Sequence, residues 1–294
     1  VYTDSTHTTK LETVWGYFNG YNGGSNGTPN IPSSEQLKYE IRPDGSWTRY
    51  VYDPTPPGVG GQSRRLKRAF SSWGDYVTDF TNPNHWAYAK ATEYYYGWFE
   101  SLAPFDNGVT LFPKRPRYIV DSVLGGAVAS TWHAYRIVGG NLELTEKRYT
   151  GEHTFNEPNQ LITTTVYVGM DEGKPQEITY PDGRKDTYTY DTCNVTPATS
   201  GSPPIVTTGV SYHRTTIDHA GSTGVFIPNK STRDVSIRLR AHGEMLNEVH
   251  VYAGSNTWER ISWTSYIYDN LGHVTDIYRS DNTQHHTEWS CCGK

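Results

Sequence analysis

Pro181-Asp182-Gly183-Arg184-Lys185-Asp186-Thr187-Tyr188-Thr189-Tyr190-Asp191 is the stretch from which the fold is read. Its Pro-Asp-Gly supplies a fixed φ, a side chain that bonds its own backbone and a residue tolerant of positive φ, the components of a tight hairpin turn. The Tyr-x-Tyr that follows places two rings on one face of a strand, because side chains alternate with a period of two. The same order occurs earlier, in Ile41-Arg42-Pro43-Asp44-Gly45-Ser46-Trp47-Thr48-Arg49-Tyr50-Val51-Tyr52-Asp53. In both stretches the turn Asp lies six positions before the first Tyr. A third copy, Ser280-Asp281-Asn282 through Thr287-Glu288-Trp289-Ser290, keeps the spacing with Asn for Gly and Trp for the second Tyr. Asn is the best replacement for Gly there, since it also visits the left-handed region. Stacked copies predict a ladder of tyrosines.

Before the third copy, Tyr266-Ile267-Tyr268-Asp269-Asn270-Leu271-Gly272-His273 adds a second turn, and Tyr268 to Trp289 completes a strand-turn-strand-turn cycle of 21 residues. These residues resemble the YD-repeat, or RHS-repeat, family, whose unit is Tyr-x-Tyr-Asp-x-x-Gly-Arg followed by a second half with an Asp-Gly turn. The resemblance covers about 36–53, 160–191 and 249–290, and His273 stands where the family has Arg. It implies a spiral β-sheet shell of the kind found in secreted toxins, teneurin-like adhesion proteins and bacterial surface proteins. An extracellular or cell-surface location follows, with neighbouring repeats or other copies of the chain as partners. The paired Asp-Pro-x-Gly motifs of self-cleaving shells have no counterpart, because the one Asp-Pro here is Asp53-Pro54, followed by Thr55-Pro56.

Composition supports a β reading. Among 294 residues only 35% are hydrophobic, yet 14% are aromatic, with 23 Tyr and 9 Trp beside 2 Met. Such a chain must bury amphipathic rings in place of aliphatic chains, and Tyr suits a pleated surface where one end is dry and the other finds a hydrogen bond. A formal charge of −5 argues against a nucleic-acid partner held by phosphate neutralisation. No apolar run approaches the roughly 18 to 20 residues of a membrane span. The chain begins with Val1 and shows no basic-then-apolar leader, and so reads as a mature or excised segment.

The expected fold is mainly β: antiparallel hairpin repeats in a large twisted or spiral sheet, with an inserted αα-hairpin. The helical insertion is placed at about 64–102. Leu66, Phe70, Trp73, Val77 and Phe80 fall at spacings of 4, 3, 4 and 3, and Asn82-Pro83-Asn84 separates them from a second helix at about 84–102. Three regions are expected: a β-rich 1–193 carrying that insertion, a Pro/Thr/Ser/Gly-rich linker loop at 194–209, and a β-rich 210–294 that continues the sheet.

Candidate catalytic residues are His242, Glu244, His250 and Tyr252, the first three sharing parity on a strand if Gly243 does not interrupt it. Paired His with a carboxylate binds metals or exchanges protons, although polar residues on a wet sheet face give the same pattern. Trp86, Tyr95 and Trp98 can stack on sugar rings or pack on the β core. Arg64-Arg65-Leu66-Lys67-Arg68 suits an anionic polysaccharide, a membrane surface or plain solvent. Adjacent Cys291 and Cys292 rarely bridge each other, so one of them pairs with Cys193 or with a chain beyond Lys294. Sequons occur at Asn26, Asn194 and Asn229. No metal site and no cofactor is expected, since no Gly-x-Ser-x-Gly elbow, phosphate loop or His-Glu-x-x-His is present.

The resulting expectation is a secreted or surface structural and adhesive segment that packs with neighbouring repeats or copies. Two alternatives remain. One is a polysaccharide lyase or hydrolase using Tyr, His and Arg in a β cleft, and the other is a glycan-binding module without catalysis. Tyrosine pairs turned into one interior would mark the repeat shell, whereas an open groove lined by His and Arg would favour the enzyme.

Overall fold

A computed structural model describes residues 13–17, 37–52, 66–73, 88–96, 115–158, 160–170, 173–200, 202–239 and 243–289. They divide into two compact units, Val1–Arg136 with Leu144–Ile162, and Ile137–Glu143 with Thr163–Lys294. The described elements are all β-strands, and every pairing within the units is antiparallel. Among the described residues no helix is long and apolar enough to cross a membrane.

In the first unit β1 (Val14–Tyr17), β2 (Leu37–Ile41), β3 (Trp47–Tyr52), β4 (Leu66–Ser71), β5 (Lys90–Tyr95), β6 (Tyr118–Val123) and β7 (Gly126–Val138) pair in chain order as a meander. The expected αα-hairpin is corrected here: Leu66–Ser71 and Lys90–Tyr95 are paired strands, while 74–87 and 97–102 lie outside the described residues. The 4-3-4-3 spacing that suggested a helix is local. Pairing is not, and Phe70 sits between Arg49 and Ala91 in the ladder with its ring buried. One core cluster joins Trp47, Phe70, Ala89 and Ala91. A second gathers Tyr118, Val120, Trp132, Ala134, Tyr149 and Phe155, the last two from β8 (Asn141–Thr150) and the loop after it.

That second cluster shows how an aliphatic-poor chain fills a core. Tyr118 and Trp132 are cross-strand partners whose rings stack at 4.0 Å. Each ring then satisfies its polar end: Trp132 donates Nε1–H to the His153 carbonyl at 2.8 Å, and Tyr149 donates its hydroxyl to the Phe155 carbonyl at 2.7 Å. A buried ring that keeps its hydrogen bond avoids the desolvation penalty an orphaned donor would incur.

The second unit continues with β9 (Leu161–Tyr167), β10 (Pro175–Thr179), β11 (Lys185–Thr196), β12 (Ile205–Thr208), β13 (Tyr212–Ala220), β14 (Thr232–Leu239), β15 (Glu244–Gly254), β16 (Thr257–Tyr268), β17 (Val274–Arg279) and β18 (Gln284–His286). Residues 194–209, expected to be a linker loop, carry the end of β11, a hairpin tip and β12. β12 and β13 pair with the same strand, since Cys193 faces both Thr208 and Tyr212, and Gly209-Val210-Ser211 bulges out between them. The aliphatic core, Cys193, Val195, Val235, Ile237 and Leu246, occupies one face of this sheet.

Five turns share one backbone pattern. In 42–46, 180–184, 221–225, 269–273 and 279–283 the first residue exchanges a hydrogen bond with the fifth, and the fourth donates its N–H to the first carbonyl. The fourth residue is Gly45, Gly183, Gly224, Gly272 or Asn282, with φ of +81°, +80°, +70°, +85° and +65°. This is the three-residue hairpin loop, a type I turn closed by a left-handed residue. Three of the predicted aspartates do the expected work, with Asp44, Asp182 and Asp281 each accepting the N–H two residues on, at 2.9, 3.1 and 2.9 Å. Asn282 replaces Gly as the sequence predicted.

Candidate functional site

Three hairpins, those whose turn carries Asp at its third residue, are each closed by a ring that reaches back to the hairpin's own start. Tyr52 donates its phenol hydroxyl to the Leu37 carbonyl at 3.0 Å, and Tyr190 does the same to Pro175 at 2.8 Å, each across 15 residues of chain. In the third copy the indole N–H of Trp289 reaches the Val274 carbonyl at 2.7 Å, again across 15 residues. Leu37, Pro175 and Val274 are the first residues of β2, β10 and β17. Trp serves where Tyr stands in the other copies because both rings carry a donor at the far end; Phe does not. Tyr268 makes a related bond to the Glu244 carbonyl at 2.7 Å, permitted by Gly243, whose added Cβ would lie 2.6 Å from that hydroxyl.

These rings lie away from the aliphatic core. In the second unit Tyr188, Tyr190, Tyr266 and Tyr268 share the face opposite Val235 and Ile237, and in the first unit Tyr50 and Tyr52 lie opposite Trp47 and Phe70. Tyr188 and Tyr190 stack at 6.5 Å with 15° between their planes. The same face carries a polar tie across β11, β13 and β14. The buried Asp186 carboxylate bonds the Tyr180 hydroxyl at 2.8 Å and His219 Nδ1 at 2.7 Å, and His219 Nε2 meets Asp234 at 3.2 Å. Burial, aided by Asp186, pushes the Tyr180 phenol up to about 12. Burial opposes the charged form of His219, but its two carboxylates outweigh that and raise its pKa.

On the core face of the second unit lies a cleft of about 310 Å³, lined by Thr189, Asp191, Val206, Arg214, Thr216, Arg233, Val235, Glu248 and His250. It is formed where the end of β11 and β12 folds over the sheet. The arm is held by the Ala198 N–H on Ser265 Oγ at 3.2 Å and by Arg260 on the Pro204 carbonyl at 3.3 Å, with Val195 and Val206 packed into the core cluster. Two arginines and two carboxylates line the cleft, Arg214, Arg233, Asp191 and Glu248, with Asp218 and Arg260 as further partners just outside. Arg214 binds Asp191 in bidentate fashion, Arg233 binds Asp218 through Nη2 at 2.8 Å, and Arg260 binds Glu248 at 2.6 Å. The remaining Glu248 oxygen meets His250 Nε2 at 3.1 Å. Burial pushes the Glu248 carboxyl up, but the bonds to His250 and Arg260 outweigh it and hold the pKa below the ordinary value. At the end of the same face Phe226, Tyr252 and Trp258 cluster with centroids 5.2 to 5.5 Å apart, and Arg233 lies 4.4 Å over the Trp258 ring.

Two β-bulges decide which residues meet in this cleft. Glu248 faces Trp263 but His250 faces Arg260, so Ile261 is an extra residue that turns Arg260 onto the Glu248 face. Likewise Ile237 faces Leu246 while Arg238 faces Glu244, so the bulge at Met245 sends Glu244 to the opposite face from His250. The shared parity of Glu244 and His250 therefore does not bring them together. Glu244 instead binds Arg238 at 2.7 Å and Asn247 at 2.6 Å, and His242 lies outside the described residues. Tyr252 packs in the aromatic cluster and accepts the Asn256 N–H at 3.2 Å. Among the described residues no group of three His, Cys, Asp or Glu side chains is placed to hold a metal ion.

Of the other candidates, Tyr95 bonds Glu93 at 2.7 Å and packs near Tyr118, whereas Trp86 and Trp98 lie outside the described residues. Cys193 is a buried free thiol whose pKa burial pushes up; Cys291, Cys292 and Asn26 are outside the described residues. Asn194 is folded against the bulge, its Oδ1 accepting the Ser211 N–H at 3.3 Å, and a Cβ on Gly209 would lie 2.1 Å from its side chain. Asn229 is exposed in a left-handed turn, while Ser231 two residues on is buried and accepts the Ile227 N–H. Glu248, Arg214, Arg233 and Arg260 went unsingled in the sequence. Glu248-Val249-His250 did offer a signal, an acid and a base on one face two residues apart. No model of a known protein family matches the chain, and no curated protein matches it.

Proposed function

We propose that this chain is a structural and adhesive segment of a larger extracellular or surface β assembly, in which clasped hairpins pack against neighbouring repeats or other copies. The observation that carries the reading is the recurrence of one device three times: an Asp-bearing three-residue turn and a ring donor that closes on the first carbonyl 15 residues back. A chain that repeats its scaffold down to the individual hydrogen bond is organised for extension, because a repeat buries its faces only against its neighbours. The relation to YD-repeat proteins rests on the same residues.

The side of β18 turned away from β17 provides the test. All three of its residues are exposed, and Arg279 N–H to Thr283 and Thr287 N–H to Thr275 set the alternation of its ladder with β17. Gln284 and His286 therefore turn their backbone groups away from β17, the condition for pairing with a further strand. Sedimentation velocity should show mass rising with concentration, and Gln284→Pro, which removes one outward N–H and spares the inner ladder, should abolish the rise with little change in Tm. A chain that stays monomeric to its solubility limit, or association untouched by the proline, refutes the proposal.

A further inference from the structure

We propose that the cleft beneath the β11–β12 arm of the second unit is a binding site for a neutral sugar ring. Its chemistry is that of alternating fixed donors and acceptors. Asp191 beside Arg214 and Glu248 beside His250 and Arg260 each set a carboxylate next to an N–H group, all oriented by their mutual bonds. A bidentate Arg–carboxylate pair uses only part of either partner, since a guanidinium has five N–H donors and a carboxylate about four lone-pair sites. Asp191 and Arg214 also keep 40% and 34% of their side-chain surface exposed, so those unused positions are accessible. Two vicinal hydroxyls, each both donor and acceptor, match such an acceptor–donor pair.

The floor supplies what the ring itself requires. Thr189 and Thr216 are direct cross-strand partners, which places two hydroxyls side by side, and Val235 beneath with Val206 on the arm gives apolar surface for ring C–H groups. The aromatic cluster of Tyr252, Trp258 and Phe226 continues the same face beyond Arg233. A volume of about 310 Å³ lies at the low end of small-ligand pockets, about 300 to 1,000 Å³, which suits one ring better than a long segment of chain.

Charge separates this ligand from the other classes. The lining arginines Arg214 and Arg233 are bound to Asp191 and Asp218, so a free anion would have to displace carboxylates already held in tight geometry. A cation meets the converse difficulty, every carboxylate being committed to an arginine.

The test uses the intact chain, with saturation-transfer NMR and calorimetry against glucose, galactose, mannose and N-acetylglucosamine, and with glucuronate and inorganic sulfate as charged competitors. At least one neutral sugar should bind in the millimolar range and more tightly than either anion. Asp191→Asn, which keeps the shape but halves the acceptors, should weaken it about tenfold, the loss that accompanies one hydrogen bond to a charged group, and Thr216→Leu, which fills the cleft, should weaken it at least as much. Near-UV dichroism of Asp191→Asn should stay that of the parent. Failure of every neutral sugar to saturate at high millimolar concentration, tighter binding of glucuronate or sulfate, or binding undiminished in both variants overturns the assignment.

Discussion

Tyr190→Phe removes one oxygen and leaves the ring, its stack on Tyr188 and the strand untouched. What is lost is the 2.8 Å bond to the Pro175 carbonyl, the first acceptor of β10. A net intramolecular hydrogen bond contributes about 0.5 to 1.5 kcal/mol, and the half-buried position of this one puts the expected cost near 1 kcal/mol. For a cooperative unit of this size that lowers Tm by about 2 to 4 °C. Urea unfolding followed by far-UV dichroism, with thermal scans beside it, measures both quantities. The control is Tyr188→Phe: that ring stacks on Tyr190, but among the described residues its hydroxyl has no protein partner, so the cost should fall below half. Tyr52→Phe, which loses the equivalent 3.0 Å bond to Leu37, should match Tyr190→Phe within about 0.5 kcal/mol in its own unit's transition. Equal costs for Tyr188→Phe and Tyr190→Phe, or a Tyr190→Phe effect within experimental error, would show that the ring and not its donor closes the hairpin.

Gly45 and Gly183 have nearly the same φ, +81° and +80°, but a Cβ at Gly45 meets open space whereas one at Gly183 would lie 2.2 Å from the Ser222 carbonyl oxygen. Gly45→Ala should therefore cost the conformational penalty alone, about 1 to 2 kcal/mol, and Gly183→Ala clearly more, as read by urea denaturation. Arg260→Met leaves the buried Glu248 carboxylate with His250 as its remaining side-chain partner. Breaking a buried pair costs about 3 to 5 kcal/mol, and the 30% exposure of Arg260 lowers the expectation to about 2 to 3, with Glu248→Gln in the same chain recovering more than half. A double-mutant cycle showing no coupling would remove the pair from the account. Stability should also depend on pH at both ends. Asp191 and Glu248 have lowered pKa values, so their contribution is present above the unfolded value near 4 and is lost as pH falls through the folded one. His219 has a raised pKa, so its contribution is present below about 6.5 and is lost as pH rises through the folded value. Tm scans should peak between about pH 4.5 and 6.5, and Asp186→Asn should flatten the alkaline side.

Local chemistry was enough to locate the hairpins. Pro-Asp-Gly and Ser-Asp-Asn carry the left-handed residue and the side-chain acceptor within three positions, so the turn forms from its own atoms, and even the exchange of Gly for Asn at 282 was predictable. The fixed distance from turn to ring was legible too, although its purpose, a donor closing on the carbonyl 15 residues back, was not. The helical reading of Leu66 to Ser71 failed for the opposite reason. Its apolar spacing fits a helix when taken alone, but β3 and β5 offer hydrogen-bonding edges on both sides, and pairing outweighs a weak local preference.

The cleft belongs wholly to the tertiary level. Asp191, Arg214, Arg233, Glu248 and Arg260 come from five stretches of chain, and only the register of five strands sets them side by side. Parity counting assigned Glu244 to the face of His250, and a single extra residue at Met245 reversed it, just as Ile261 reversed Arg260 in the other direction. The turns and the strand alternation were legible in the amino-acid order alone, because those depend on neighbours a few residues away. Which charged groups meet was decided by the structure, because one bulge inverts every side chain beyond it and nothing local announces where the ladder will slip.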